Sequence, residues 1–417
     1  MEINRKLLNW VIGLGLLFPL FFQFSGAIYS GFLNDSGGNI ARLPFPLAAL
    51  ACFGGIVLYR KRFRNAQIAW AFIAAMLLIQ LFSVLFAGSG WKVEIRKLML
   101  LAQFLMPMAA LALGQMLNDD DQIIPKAFLV VLLVVVPAQL LAGWAQGTLT
   151  LTHNLYVFSI YQHLQFVPVV FVCAFVVATT ALWDSHRRAL LILVPLITLY
   201  AIASGSFLTI AAFIAFLAAF IGHVARADKR LPGYLVPVVA LAVIVFATFA
   251  GGTYLNAAKD NTSIKGDYGA YLAKFKVLSE GGLPSNASER WADWSLFGSG
   301  IMESPRTMVL GHAAPIDRAV KSSAHNWYID IVYSFGLVSL LPVFLLIGYT
   351  AHLFWRARSR LTLDTRWLAF VVLFLVVIDS NFKVTLRQPY PGIFSYFLWG
   401  LLLTRLGDSC RDYRANE

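Results

Sequence analysis

The sequence predicts an all-α integral membrane protein with about twelve transmembrane helices and one long outer loop that carries interfacial helices. Three observations predict it. Of the 417 residues, 59% are hydrophobic and only 13% are charged, whereas a soluble domain carries about 25% charge. The apolar residues fall in blocks of roughly 17 to 24, the length that crosses a hydrocarbon core. Lysine and arginine punctuate the ends of those blocks, so the net charge of +12 describes topology rather than a nucleic-acid-binding face.

The apolar blocks lie at residues 7–24, 43–59, 66–87, 98–117, 127–145, 164–183, 189–203, 207–224, 234–251, 337–355, 367–378 and 393–404. The first follows a basic MEINRK start as a signal peptide would. It is too long, lacks a small-x-small cleavage site and is followed by further blocks, so it reads as an uncleaved helix. Residues 189–224 are split only by Ser204-Gly205-Ser206, which allows a tight hairpin or one broken helix. The hairpin is preferred because it places Arg187-Arg188 and Arg226/Lys229/Arg230 on one side.

With the N-terminus in the cytoplasm, the arginine clusters around residues 60–64, 187–188, 226–230, 356–366 and 405–414 all face inward. The short outer loops keep only Arg42, Lys92, Arg96, Lys97, Lys383 and Arg387. Asp119-Asp120-Asp121 opposes the pattern locally, but acidic residues contribute little to orientation; it reads as a solvated loop. The chain divides into residues 1–251 with nine spans, an outer loop at 252–324, and residues 325–417 with three spans and a tail. Cys52, Cys173 and Cys410 form no disulfide or zinc pattern.

No phosphate loop, dinucleotide fingerprint, HExxH or GxSxG occurs, so soluble-enzyme chemistries have no foothold. The 252–324 loop is the one extended polar segment, and chemistry concentrates there. Tyr268, Tyr271, Leu272, Phe275 and Leu278 recur at helical spacing, as do Trp291, Trp294, Phe297 and Ile301 with Arg290 and Asp293 on other faces. These predict helices lying in the interface.

At the end of that loop stands Ser323-Ala324-His325-Asn326-Trp327-Tyr328-Ile329-Asp330. It puts His325 at the start of a helix at the membrane surface. An imidazole there can take a proton from a hydroxyl nucleophile, or simply hydrogen-bond its own loop. Asp330, five residues on, is a candidate to orient it. His153, His163 and His312 show no ligand spacing and no carboxylate pair, so no metal site is expected.

The run HNWYIDIVYSFGLVSLL after a long outer loop, preceded by SERWADWSLFGSGIMESPRTMVLG, resembles the closing region of the O-antigen ligase and polymerase superfamily. His325, Asn326, Tyr328, Gly336 and Leu337 match its His-Asn-x-Tyr and Gly-Leu elements. Ser288, Arg290, Trp294, Pro305 and Gly311 match its upstream serine, arginine, tryptophan helix and closing turn. The motif spans about 60 residues, while span number and loop position extend the likeness along the chain.

The resemblance implies a GT-C-like multi-span glycosyltransferase in the bacterial inner membrane, its site facing the periplasm. It would transfer a glycan from undecaprenyl diphosphate to an acceptor hydroxyl with inversion, without metal or other cofactor. On that basis His325 and Arg290 are the catalytic candidates, with Asn326, Tyr328 and Asp330 supporting. Arg96, Lys97 and Arg387 are candidates to hold the diphosphate, which guanidinium groups grip bidentately as charge grows on it. The implied partners are the undecaprenyl-diphosphate-linked glycan, a lipid A-core acceptor and membrane lipids, with no nucleic acid. Many members carry an arginine after a Ser-Gly-Ser turn; here Phe207 follows Ser206, so either another residue such as Arg387, Lys383 or Arg306 replaces it, or fewer cations clamp the diphosphate. Ligase is preferred over polymerase. A secondary transporter is the alternative from another class, disfavoured because the spans are almost free of charge and the long loop breaks any two-fold repeat.

Overall fold

A computed structural model describes residues 5–22, 45–87, 95–117, 119, 121–145, 166–204, 206–224, 285–313 and 323–415. The predicted ninth span at 234–251, the helix expected at 268–278, and His153 and His163 lie outside the described residues.

The chain is mostly helical. Its elements are α1 (Arg5–Leu17), α2 (Leu47–Leu58), α3 (Gln67–Ala87) entered through a 3₁₀ stretch at Arg60–Ala66, α4 (Ile95–Met116) and α5 (Ile123–Ala145). They continue with α6 (Val167–Ala203), α7 (Phe207–Val224), α8 (Ser285–Ile301), α9 (Pro305–Leu310), α10 (Trp327–Phe335), α11 (Leu340–Ala357), α12 (Leu363–Leu373) and α13 (Pro389–Ala415). A π turn at Phe374–Asp379 extends α12. Two-residue extended segments, Phe21–Phe22 and Phe45–Pro46, are the exceptions.

Four described stretches are long and apolar enough to cross a membrane: Arg60–Phe86, Ile123–Ala145, Val167–Ala203 and Leu337–Ala357. Leu47–Leu58, Leu100–Met116 and Leu208–His223 are shorter and also apolar. Outward-facing Leu78 and Leu345 are 67% and 64% exposed. Such surfaces suit acyl chains rather than water.

The chain forms two compact units, one of residues 1–16, 22–120 and 286–417, the other of 17–21 and 121–285. In the second unit, α6 has 37 residues but its backbone leaves helical geometry at His186. The rings of Phe171 and Tyr200 stack at 5.5 Å. A continuous helix would hold them roughly 43 Å apart, so the chain doubles back at His186. Phe175 meets Phe213 at 6.1 Å and Trp183 meets Phe220 at 4.9 Å, which brings α7 alongside the first half of α6. Residues 167–204 and 206–224 therefore hold three packed helices, the first two joined by the turn at His186.

In the first unit, α4 and α13 run parallel. Gly114 of α4 faces Gly400 of α13 so closely that a Cβ on either would strike the other's backbone. Small residues at such a crossing let backbones approach, which is how helices gain van der Waals contact where water supplies no driving force. Parallel packing of these two helices sets Phe104 under the start of α13, next to Arg387.

Candidate functional site

The site grows from the N-terminus of α10. Asn326 caps it: its Oδ1 accepts from the backbone N–H of Tyr328 at 2.9 Å and of Ile329 at 3.1 Å. This satisfies two donors that a helix start leaves open. Its Nδ2 donates to Asn381 at 3.2 Å, and the backbone N–H of Trp327 donates to the carbonyl of Lys383 at 3.2 Å. Both contacts tie α10 to the loop before α13.

His325 precedes the cap with φ +50. A side chain in the left-handed region costs about 1–2 kcal/mol and persists only where surrounding contacts demand it. Here Asp330 makes the demand. Its Oδ1 accepts the backbone N–H of Ala324 at 2.9 Å, and its Oδ2 pairs with the guanidinium of Arg387. Burial pushes the Asp330 carboxyl above its ordinary range, while Arg387, the Ala324 amide and His325 pull it back. Asp330 thus holds the backbone on the N-terminal side of His325, and Asn326 holds the other side.

The imidazole turns to a different carboxylate. Nδ1 of His325 stands 3.0 Å from Oδ2 of Asp293, whose side chain is 6% exposed against 30% for the histidine. Sequence spacing favoured Asp330 for this contact; the fold gives it to Asp293, because α8 returns its buried face to the start of α10. Among the described residues Nε2 has no hydrogen-bond partner. The ring therefore has one nitrogen engaged by an acid and the other open.

Arg290 precedes Asp293 by three residues on α8 and so shares its face. Burial lowers the pKa of its guanidinium from the ordinary range, whereas the charges of Asp379 and Asp293 raise it. Asp379, at the end of the π turn, is buried, lies 3.1 Å from the ammonium of Lys383 and accepts from the Thr385 hydroxyl. Arg290, itself half-buried, thus stands with the buried Asp293, Asp379 and Lys383 in one charged cluster beside His325. Two indole N–H groups, of Trp294 and Trp327, are buried nearby in sequence without an acceptor among the described residues.

Arg387 takes another position. Only 11% exposed, it is paired to Asp330 and lies over the ring of Phe104 at 5.7 Å. Tyr328 donates its hydroxyl to the carbonyl of Val376, within the π turn, at 2.8 Å. Burial pushes the phenol up to about 12. Arg96 and Lys97 belong to the first turn of α4; their side chains lie outside the described residues. Arg306 donates to the carbonyl of Phe86. His312 stacks on Tyr333 at 4.3 Å with Nε2 3.0 Å from the carbonyl of Gly300.

Two glycines seat α9 against α10. Gly311 (φ 72, ψ −172) and Gly336 (φ 77, ψ 171) end these helices in a backbone region open essentially to glycine alone. A Cβ on Gly336 would strike the carbonyl of Val309, and one on Gly311 the backbone of Ser334–Gly336. The N–H groups of His312 and Ala313 then donate to Tyr333 and Ser334 at 2.9 and 2.8 Å. These contacts hold the turn after α9 against the histidine helix.

No protein-family model matches the sequence, and no curated protein matches it. An acid–imidazole pair with an open nitrogen can serve as a general base, and a flanking guanidinium can pair with an anion. Among the described residues no group of three or more histidine, cysteine or acidic side chains is arranged to hold a metal. Asp293, Asp379 and Asn381 have no role in the motif reading. Only Asp293 left a trace in the sequence, as the acidic residue one helical turn after Arg290.

Proposed function

We propose that this chain is a membrane glycosyltransferase of about twelve spans that moves a glycan from undecaprenyl diphosphate to the lipid A-core, an O-antigen ligase of GT-C-like architecture in the bacterial inner membrane with its site toward the periplasm. The observation that carries the reading is the contact between Asp293 and Nδ1 of His325. A carboxylate there fixes the tautomer with Nδ1 protonated, aims Nε2 outward as the base and stabilises the imidazolium once it forms.

In the reaction, Nε2 removes the proton of an acceptor sugar hydroxyl as its oxygen attacks the anomeric carbon of the donor. The bond from that carbon to the diphosphate oxygen breaks, and the electron pair leaves with undecaprenyl diphosphate. One in-line displacement inverts the anomeric centre. Arg290 faces the leaving group, where charge grows in a half-buried setting that strengthens its pull. Arg96 and Lys97, in the first turn of α4, supply further cations for the diphosphate. Arg387 supports the site by holding Asp330. No step needs a metal or other cofactor.

The test is transfer by the purified protein in detergent, given undecaprenyl-diphosphate-linked O-antigen and rough lipopolysaccharide, beside the His325→Ala variant. Glycan on the lipid A-core with a dead variant supports the ligase. Longer lipid-linked chains alone identify a polymerase, and no transfer in either sample returns the transporter.

A further inference from the structure

A second cluster lies at the other end of the same helices. Along α13, about 24 Å of axis separates its start beside Arg387 from Arg405, close to the thickness of a hydrocarbon core. There a cavity of about 650 Å³ opens between the 3₁₀ stretch before α3, the ends of α4 and α11, and α13. Its walls include Arg62, Asn65, His352, Arg356, Arg405 and Asp408.

Not all of these cations are available. Arg405 is bound to Asp364 at 2.7 Å, and Arg411 at the rim lies 3.6 Å from Asp408. Arg62 and Arg356 have no carboxylate within ion-pairing distance among the described residues. Both line the cavity, from different elements, together with the neutral hydrogen-bonding groups Asn65 and Thr404, the leucines Leu353, Leu401 and Leu403, and the carboxylates Asp119 and Asp408. Two guanidiniums without an ion-paired carboxylate in the lining of one polar cavity suit a phosphate, which each can grip through two N–H groups. The leucines of the lining offer apolar contact to the glycerol and first methylenes of a lipid.

We propose that this cavity binds the phosphodiester headgroup of an anionic phospholipid from the leaflet facing the arginine-rich end. A leaflet rich in such lipids attracts basic residues at helix ends, and basic pockets between helices are where their headgroups lodge. The inference stands apart from the glycosyl-transfer reading: it uses none of the same residues and does not need the protein to be an enzyme.

The experiment measures lipid retention by native mass spectrometry of the full chain, purified in a mild detergent and offered phosphatidylglycerol, phosphatidylcholine or inorganic phosphate. Phosphatidylglycerol is retained over phosphatidylcholine, and Arg62→Gln/Arg356→Gln weakens it roughly thirty-fold. Arg358→Gln is the control. That guanidinium lies 4.0 Å over the Trp355 ring, outside the cavity lining, and its loss leaves retention unchanged. Both changed residues of the double variant lie at the protein surface or half-buried, and a matching thermal transition confirms its fold. Equal retention of both lipids, equal weakening by Arg358→Gln, or displacement of the lipid by millimolar phosphate would each overturn the proposal.

Discussion

Asp293 and His325 are 32 residues apart in sequence and 3.0 Å apart in the fold. The acid is buried and the imidazole half-open, so the pair is built to present one nitrogen. Asp293→Asn keeps the shape but offers an amide that can stabilise neither the tautomer nor the imidazolium. Transfer falls on the order of 10²-fold or more in kcat, with donor KM little changed. The double variant with His325→Ala is no slower than His325→Ala alone, because the two side chains act as one unit. Additive losses in single-turnover assays would separate them.

Breaking the Asp330–Arg387 pair acts on structure first. Removing one partner of a buried ion pair strands the other, at about 3–5 kcal/mol. Arg387→Gln therefore lowers the thermal transition markedly, and Asp330→Asn added to it recovers part of the loss. A full recovery of stability with transfer still absent would instead give Arg387 a direct role on the substrate.

Tyr328→Phe separates packing from chemistry. The phenol is spent on the Val376 carbonyl, so the variant loses about 0.5–1.5 kcal/mol of stability and keeps transfer. A kcat loss beyond ten-fold at an unchanged melting temperature would place the hydroxyl in the reaction.

Gly336→Ala is severe for two reasons at once. Its φ of 77 with extended ψ excludes a side chain, and the added methyl meets the Val309 carbonyl. A cost of about 1–3 kcal/mol from backbone strain alone is expected, with loss of membrane-inserted yield by fluorescence size exclusion. An exposed glycine with open space around it, Gly348, tolerates alanine.

Chelation leaves transfer unchanged in the proposed mechanism, since every charge it uses belongs to the chain. Loss in EDTA with recovery on adding a divalent ion would put a metal into the reaction.

The sequence by itself determined the elements that depend on local free energy. Apolar blocks of membrane length place α3, α5 and α11, since burying each in lipid is favourable segment by segment. The sequence showed Gly311 as a turn and put a helix start at His325; that Asn326 caps that helix and that Gly336 ends it came from the backbone. The sharp turn at His186 follows the apolar break at 184–188, although helical backbone continues almost through it.

Only the tertiary structure decided which charges meet. Asp330 is five residues from His325 and Asp293 is thirty-two, yet the nearer acid went to Arg387, 57 residues away, and the farther one to the imidazole. Spacing along the chain could not rank them, because buried charges are matched across helices by whichever packing leaves none unpaired. The same holds for Arg62 and Arg356, which the sequence shows as two anchoring arginines and the fold brings around one cavity.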